Sequence, residues 1–171
     1  DTTESRGLGD VYKRQNLLVA NYIFGGSGFG SWLMEEIRQK RGLSYSVYSY
    51  LSTYQNSGYL RISLQTKNES INLAKNIIRE QVDKLSRFDV EDTKITATKK
   101  AILRSFEMRA DTNRKILNLI SSINYLNLDL NYFENYKNNL KQVNKDSIKA
   151  ALNRAMDFDN VSVFTVGKSI E

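Results

Sequence analysis

The sequence predicts an α+β domain, an antiparallel sheet with helices packed on one face. Three observations carry that prediction. Tyr59 to Thr66 alternates, with Leu60, Ile62 and Leu64 on one side and Arg61, Ser63 and Gln65 on the other, as a strand with one buried and one wet face does. Just before it, Tyr45 to Tyr54 is rich in Tyr and Val, and Gln55-Asn56-Ser57-Gly58 supplies a turn between the two runs. From Asn68 onward, apolar residues recur three and four apart, the period of amphipathic helices.

In chain order, the first fifteen residues stand apart. Leu8, Val11 and Tyr12 are their sizeable apolar groups and follow neither period, and three acidic residues cancel three basic ones. Residues 1–15 are expected to be a non-native or disordered leader, with the domain proper spanning 16–171. A largely buried helix is expected from about Asn16 to Phe24, because Leu17, Leu18, Val19, Tyr22, Ile23 and Phe24 leave it almost no polar face. Gly25-Gly26-Ser27-Gly28-Phe29-Gly30 reads as a mobile loop whose backbone can approach another chain closely. A second helix follows from Ser31, its N-cap candidate, to Arg41. Trp32, Leu33 and Ile37 face inward there, and Gly42 sits where a glycine ends a helix.

After the hairpin come five helical segments. Asn68 is the cap candidate of the first, which carries Ile71, Ala74, Ile78, Val82 and Leu85. Ser86 to Asp89 breaks it, and Glu91 and Asp92 favour a new start through the helix dipole, with Ile95, Ile102 and Phe106 following. Further helices begin near Thr112, carry Tyr132, Phe133, Tyr136 and Leu140, and run from Lys145 to Met156 behind an Asn144 cap. Asn160 to Gly167, with Val161-Ser162-Val163-Phe164-Thr165-Val166 at its centre, is expected to return as a third strand. Three strands make a thin sheet, and the chain opens inside an apolar helix. Both lead to the expectation that a preceding part of the domain is missing.

Composition narrows the chemistry. At 171 residues there is room for one domain with a proper core. Cysteine, histidine and proline are absent. A Ser-His-Asp triad, a Cys-His pair or a histidine-ligated metal cannot be built from this chain alone, so no catalytic and no metal-ligating residue is assigned. The net charge is +6, yet the dense basic run is confined to Arg38-Gln39-Lys40-Arg41, and the other cations are spaced as on solvated helix faces. A nucleic-acid partner is therefore not expected. No stretch reaches the ~18 apolar residues of a membrane span. Glu35 and Glu36 are adjacent on a helix and point about 100° apart, a poor arrangement for paired-carboxylate chemistry. Asp89, Glu91 and Asp92 match no calcium-loop spacing. The Gly25–Gly30 run lacks the Lys-Ser/Thr of a phosphate-binding loop.

One long stretch is more specific. Residues 21–49, from Asn21 through Gly25-Gly26-Ser27-Gly28-Phe29-Gly30, Leu33-Met34-Glu35-Glu36-Ile37-Arg38 and Arg41-Gly42-Leu43-Ser44-Tyr45 to Ser49, resemble the C-terminal, non-catalytic domain of the pitrilysin-like (insulinase-like) zinc peptidases. Glu69 to Leu85, the run Arg109-Ala110-Asp111-Thr112-Asn113-Arg114-Lys115-Ile116 and the closing strand resemble bacterial members. The resemblance covers about residues 16–168. It implies one half of a clamshell, incomplete here, that closes on an extended peptide opposite a separate domain. That other domain carries H-x-x-E-H and the zinc. No cofactor is expected in this chain.

The resemblance also implies substrate contacts at Arg38 and Tyr45, and substrate handling by the glycine loop, Gly25, Gly26, Gly28 and Gly30. A guanidinium and a phenol can both donate to a substrate carbonyl or to a developing oxyanion. The competing reading makes Arg38 one half of an ordinary helix ion pair, Tyr45 a sheet residue and the glycines a flexible connector. Where relatives carry a small residue followed by Arg-Leu, this chain has Ser31-Trp32-Leu33, and the ring is expected to fill a pocket or a domain interface instead of making a salt bridge. A second functional reading, a degenerate scaffold member of the same family without proteolytic role, stays open. The compartment is unassigned by the residues themselves. Exported bacterial relatives share the Arg-x-Asp-x-Asn-Arg-Lys-Ile pattern, so the resemblance points to the periplasm.

Overall fold

The computed structural model describes residues 11–54, 58–108, 111–128 and 131–167. Helix α1 spans Val11–Asn21 and runs on through a wide i→i+5 turn, Tyr22–Gly26. A second wide helical segment, Met34–Gln39, leads into the hairpin of β1 (Val47–Thr53) and β2 (Gly58–Leu64). A single tight turn, Asn68–Ser70, opens the helical half: α2 (Ile71–Arg87), α3 (Asp92–Glu107), α4 (Asn113–Tyr125), α5 (Tyr132–Gln142) and α6 (Lys145–Ala155). The architecture is α+β, mostly helical, around one two-stranded antiparallel sheet.

The hairpin register pairs Val47 with Leu64, Ser49 with Ile62 and Leu51 with Leu60. Because side chains alternate across a strand, these six share the face turned to the helices. Tyr48, Tyr50, Arg61 and Tyr59 belong to the opposite face, where Arg61 lies over the Tyr50 ring at 5.3 Å. Buried Ser49 is not left unsatisfied: its hydroxyl donates to Asn21 Oδ1 at 2.6 Å, and Asn21 Nδ2 donates back to the Ser49 carbonyl at 3.4 Å. That exchange ties α1 to β1. At the other side of α1, the Ser147 hydroxyl donates to Asn16 Oδ1 at 2.6 Å and ties it to α6. Leu17, Val19 and Ala20 of α1, with Ile23 and Phe24 of the wide turn that continues it, sit at the centre of the core, with Leu33, Ile37, Val47, Leu85, Leu140, Ile148 and Leu152 around them.

Four expectations are revised. The first helix begins at Val11, and Gln15 is already buried in it. The expectation for residues 1–10 lies outside the described residues. Gly25 and Gly26 do not belong to the loop; they end the helix, with the Ser27 amide donating to the Tyr22 carbonyl at 3.2 Å. Glycine is needed there because β1 crosses so closely: a Cβ on Gly25 would sit 2.6 Å from Ser49 Oγ and 2.9 Å from the Ser49 amide nitrogen. Tyr45 precedes β1 instead of opening it. Finally, described residues 160–167 form no strand. An extended segment gains ladder bonds only beside a free edge in register. This one only borders the junction of β2 and α2, where Phe164, Thr165 and Val166 flank a small cleft with Thr66, Asn68 and Lys75, and Phe164 and Val166 stay exposed.

Candidate functional site

The helix from Trp32 to Gln39 points Leu33, Met34 and Ile37 into the core, which leaves Arg38 at the rim. Ser31 starts it. The Ser31 hydroxyl accepts from the Met34 amide at 3.4 Å and donates to the Gly28 carbonyl at 2.7 Å, closing the loop before the helix. Gly28 and Gly30 take positive φ, +70° and +87°, and the reversal they make holds Phe29 out, 65% exposed. At the far end Gly42, φ +60°, turns the chain. Buried Ser44 then makes a local turn, accepting from the Ser46 amide and donating to the Ser46 carbonyl. That turn throws Tyr45 outward to 82% exposure.

The three side chains converge. The Arg38 guanidinium carbon stands 4.4 Å from the Tyr45 ring centroid and 4.6 Å from that of Phe29. Each stacking at an exposed site is worth about 0.5–1 kcal/mol. Two rings together cost the arginine much of its rotamer freedom before any ligand arrives, while its N–H edge stays open for donation.

Nearby charges leave Arg38 as the unneutralised cation of the basic run. Lys40 bonds Glu36 at 2.6 Å and pairs with Glu35 at 3.1 Å, and Arg41 bonds Glu36. Hydrogen bonds from Lys40, then Arg41, hold the Glu36 carboxyl below its ordinary range. Among the described residues, no ion pair or side-chain hydrogen bond engages Arg38. The helix-ion-pair alternative for Arg38 and the strand alternative for Tyr45 do not describe this arrangement.

Of the glycines singled out in the sequence, Gly28 and Gly30 flank Phe29 at the rim, Gly26 is exposed at the helix end, and Gly25 is buried beneath it against β1. Phe29 itself was not among the sequence-derived contacts. An exposed aromatic between two glycines was the available signal. Trp32 packs within this domain: its ring lies 6.3 Å from that of buried Phe88 and carries Lys84 Nζ at 4.3 Å, joining the helix to the end of α2. Among the described residues no three His, Cys, Asp or Glu side chains form a group able to hold a metal, and no helix is long and apolar enough to cross a membrane.

Comparison with known proteins gives the geometry its family. Residues 5–102 match the model described as the peptidase M16 inactive domain. The chain is 38% identical over 142 residues to a Helicobacter pylori protein named non-peptidase homolog YmxG, covering 77% of this chain and 31% of that protein. It is 32% identical over 102 residues to a Bacillus subtilis protein named uncharacterized zinc protease YmxG, covering 59% of this chain and 25% of that one. Among solved structures, the peptidase M16 inactive domain from Pseudomonas fluorescens superimposes with a TM-score of 0.78 at 27% identity, covering 86% of this chain and 35% of the other. The chain thus spans between a quarter and a third of the length of these curated relatives. The matched segment takes in α1, the whole Phe29–Arg38–Tyr45 cluster and the hairpin, and on that ground the chain belongs to the peptidase M16 family as a non-catalytic, inactive-type domain.

Proposed function

We propose that this domain is the substrate-gripping wall of a zinc metalloendopeptidase, holding an extended peptide against a separate domain that carries H-x-x-E-H and the zinc. The observation that supports it is the Arg38 guanidinium held between Phe29 and Tyr45 at an exposed rim, with its neighbours' charges already paired. Arg38 and the Tyr45 hydroxyl donate to a backbone carbonyl of the peptide. As the scissile carbonyl gains negative charge, a preorganised donor of this kind stabilises the transition state by about 3 kcal/mol in a closed, water-poor cleft. Gly26, Gly28 and Gly30 line the peptide's path and set Phe29 beneath the arginine. Gly25, buried, acts by letting β1 approach. Zinc held in the partner domain would supply the activated water, and this chain contributes orientation and charge.

The test is turnover of an unfolded peptide by the complete two-domain protein carrying Arg38→Ala, Arg38→Lys or Tyr45→Phe. Loss of about a hundredfold in kcat/KM with unchanged thermal unfolding is expected for Arg38→Ala. Partial recovery is expected for Arg38→Lys, because lysine keeps the charge and loses the fork. Turnover unaltered by all three removes the proposal.

A second reading rests on one specific observation: the Helicobacter pylori relative is named a non-peptidase homolog. In that reading the domain is a scaffold of the same family. Mixing the protein with an H-x-x-E-H partner then yields an assembly and no peptide cleavage.

A further inference from the structure

The outward face of the hairpin is unusual for a wet sheet surface. Tyr48 and Tyr50 of β1, Tyr59 and Arg61 of β2, and Tyr54 just beyond β1 share it. Tyr50 and Tyr59 are 46% exposed and Tyr54 is 43% exposed. Rings held in water add nothing to the sheet, whereas a tyrosine offers a partner an apolar body and a hydroxyl at little entropic cost.

This face begins where the Arg38 rim ends. A Cβ built on Gly28 would sit 3.6 Å from Tyr48 Cε1, so the loop that carries Phe29 lies beside the first ring. The Tyr48 and Tyr50 rings stand 6.2 Å apart, and the Arg61 guanidinium carbon lies 5.3 Å from the Tyr50 centroid. Arg61 thus repeats the arrangement of Arg38, a guanidinium stacked on an exposed ring with its N–H edge left over. Among the described residues no carboxylate pairs with it. The sequence has no acidic residue between Glu36 and Glu69, so the hairpin offers rings and a positive charge with no anion of its own. An extended strand rises about 3.3 Å per residue and covers the run from Gly28 to Arg61 in about five residues.

We propose that this face extends the substrate path from the Arg38 rim, and that Arg61 selects a peptide carrying an acidic side chain about five residues from the bond to be cleaved. The inference rests on the peptide-gripping reading and adds a substrate class to it. The tyrosines hold the intervening stretch, and the carboxylate accepts from the Arg61 fork.

The test uses the complete two-domain protein and a set of quenched fluorogenic peptides. One Glu is moved stepwise outward on both sides of the scissile bond, against a neutral parent with Gln at the same positions. A single position, on one side, is expected to raise kcat/KM about fivefold, as one well-placed exposed ion pair does, and to act through KM. In Arg61→Gln the Glu and Gln peptides converge. In Arg61→Glu the preference inverts, and a Lys peptide outruns the Glu peptide. Arg38→Ala separates this inference from the reading beneath it: it is expected to lower kcat for every peptide and to keep the Glu preference. No position-dependent preference for Glu, or one that survives both Arg61 variants, overturns the inference alone when Arg38→Ala still lowers kcat. Arg38→Ala without effect on any peptide overturns both. Should the protein cleave none of the peptides, fluorescence anisotropy applies the same comparison of Glu, Gln and Lys peptides to Kd.

Discussion

Gly25 shows how one missing methyl organises the neighbourhood of the rim. The nearest atoms to a Cβ built there are Ser49 Oγ at 2.6 Å, Leu33 Cδ1 at 2.7 Å and the Ser49 backbone nitrogen at 2.9 Å. A leucine tip can rotate aside, but a strand backbone cannot move without disturbing the hairpin register. Gly25→Ala is therefore expected to destabilise the fold by about 1–3 kcal/mol, as overpacking in a close-fitting core does, read as a lower urea midpoint with an unchanged slope. Stability within about 0.5 kcal/mol of the parent would show that β1 can yield. At this scale the sequence was legible in part. Arg38 and Tyr45 stood out through the stretch that resembles a family, and their seven-residue spacing suits a helix end, a glycine reversal and a short turn. The partner ring of Phe29 was not legible, because stacking is set by two positive-φ glycines and a serine turn acting together. The burial of Gln15 was hidden for a similar reason: its amide donates to the Tyr136 carbonyl on α5, over a hundred residues downstream.

Among the elements, α6 is where local signals and long-range charge meet. Its start is written in the sequence as Asn144-Lys145-Asp146-Ser147. The structure makes it a capping box, with the Asn144 side chain accepting from the Ser147 amide and the Ser147 hydroxyl accepting from the Asn144 amide. Thr112 caps α4 with a single bond, accepting from the Lys115 amide. The stripe of α2 holds at Ala74, Val82 and Leu85 and widens to take in Ile77 and Gln81, while Ile71 and Ile78 are half-buried at its edge.

Lys145 occupies the first position of α6, where the dipole disfavours a cation. Asp89 offsets this with a bond of 2.7 Å from the loop after α2. That hydrogen bond holds the Asp89 carboxyl below its ordinary 3.8 and the Lys145 ammonium above its ordinary 10.5. A lowered carboxylate contributes stability that is present above its unfolded value and lost as pH falls through its folded value. A raised ammonium contributes below its unfolded value and loses that contribution as pH rises through its folded one. The difference in thermal midpoint between the parent and Asp89→Asn is thus expected to be flat between about pH 5 and pH 9 and to shrink progressively as the pH falls below the ordinary carboxylate value of 3.8. It should also shrink in molar salt, since both groups are solvated. A difference that persists undiminished in acid would mean the carboxylate charge is not what stabilises α6.

The whole molecule divides unequally between a helical core centred on α1 and a sheet that carries little of the burial. Five helices after the hairpin could be read from period and caps because each announces itself locally. The return of the chain after α6 could not, since a strand is defined by its neighbour and a β-like pattern does not name one. Two valines of like β-propensity therefore have opposite fates. Val47, at the start of β1, is 0% exposed, whereas Val166, in the extended segment expected to complete the sheet, is 100% exposed. Removing two methyls from a sealed site costs about 2 kcal/mol, from lost transfer free energy and the cavity left behind. Removing them from a fully solvated site changes stability by less than about 0.5 kcal/mol. Urea unfolding of the 171-residue chain should consequently place Val47→Ala well below the parent and Val166→Ala on top of it. Equal losses for the two variants would mean that residues 161–166 are packed in solution as tightly as β1, and that the sheet has a third member after all.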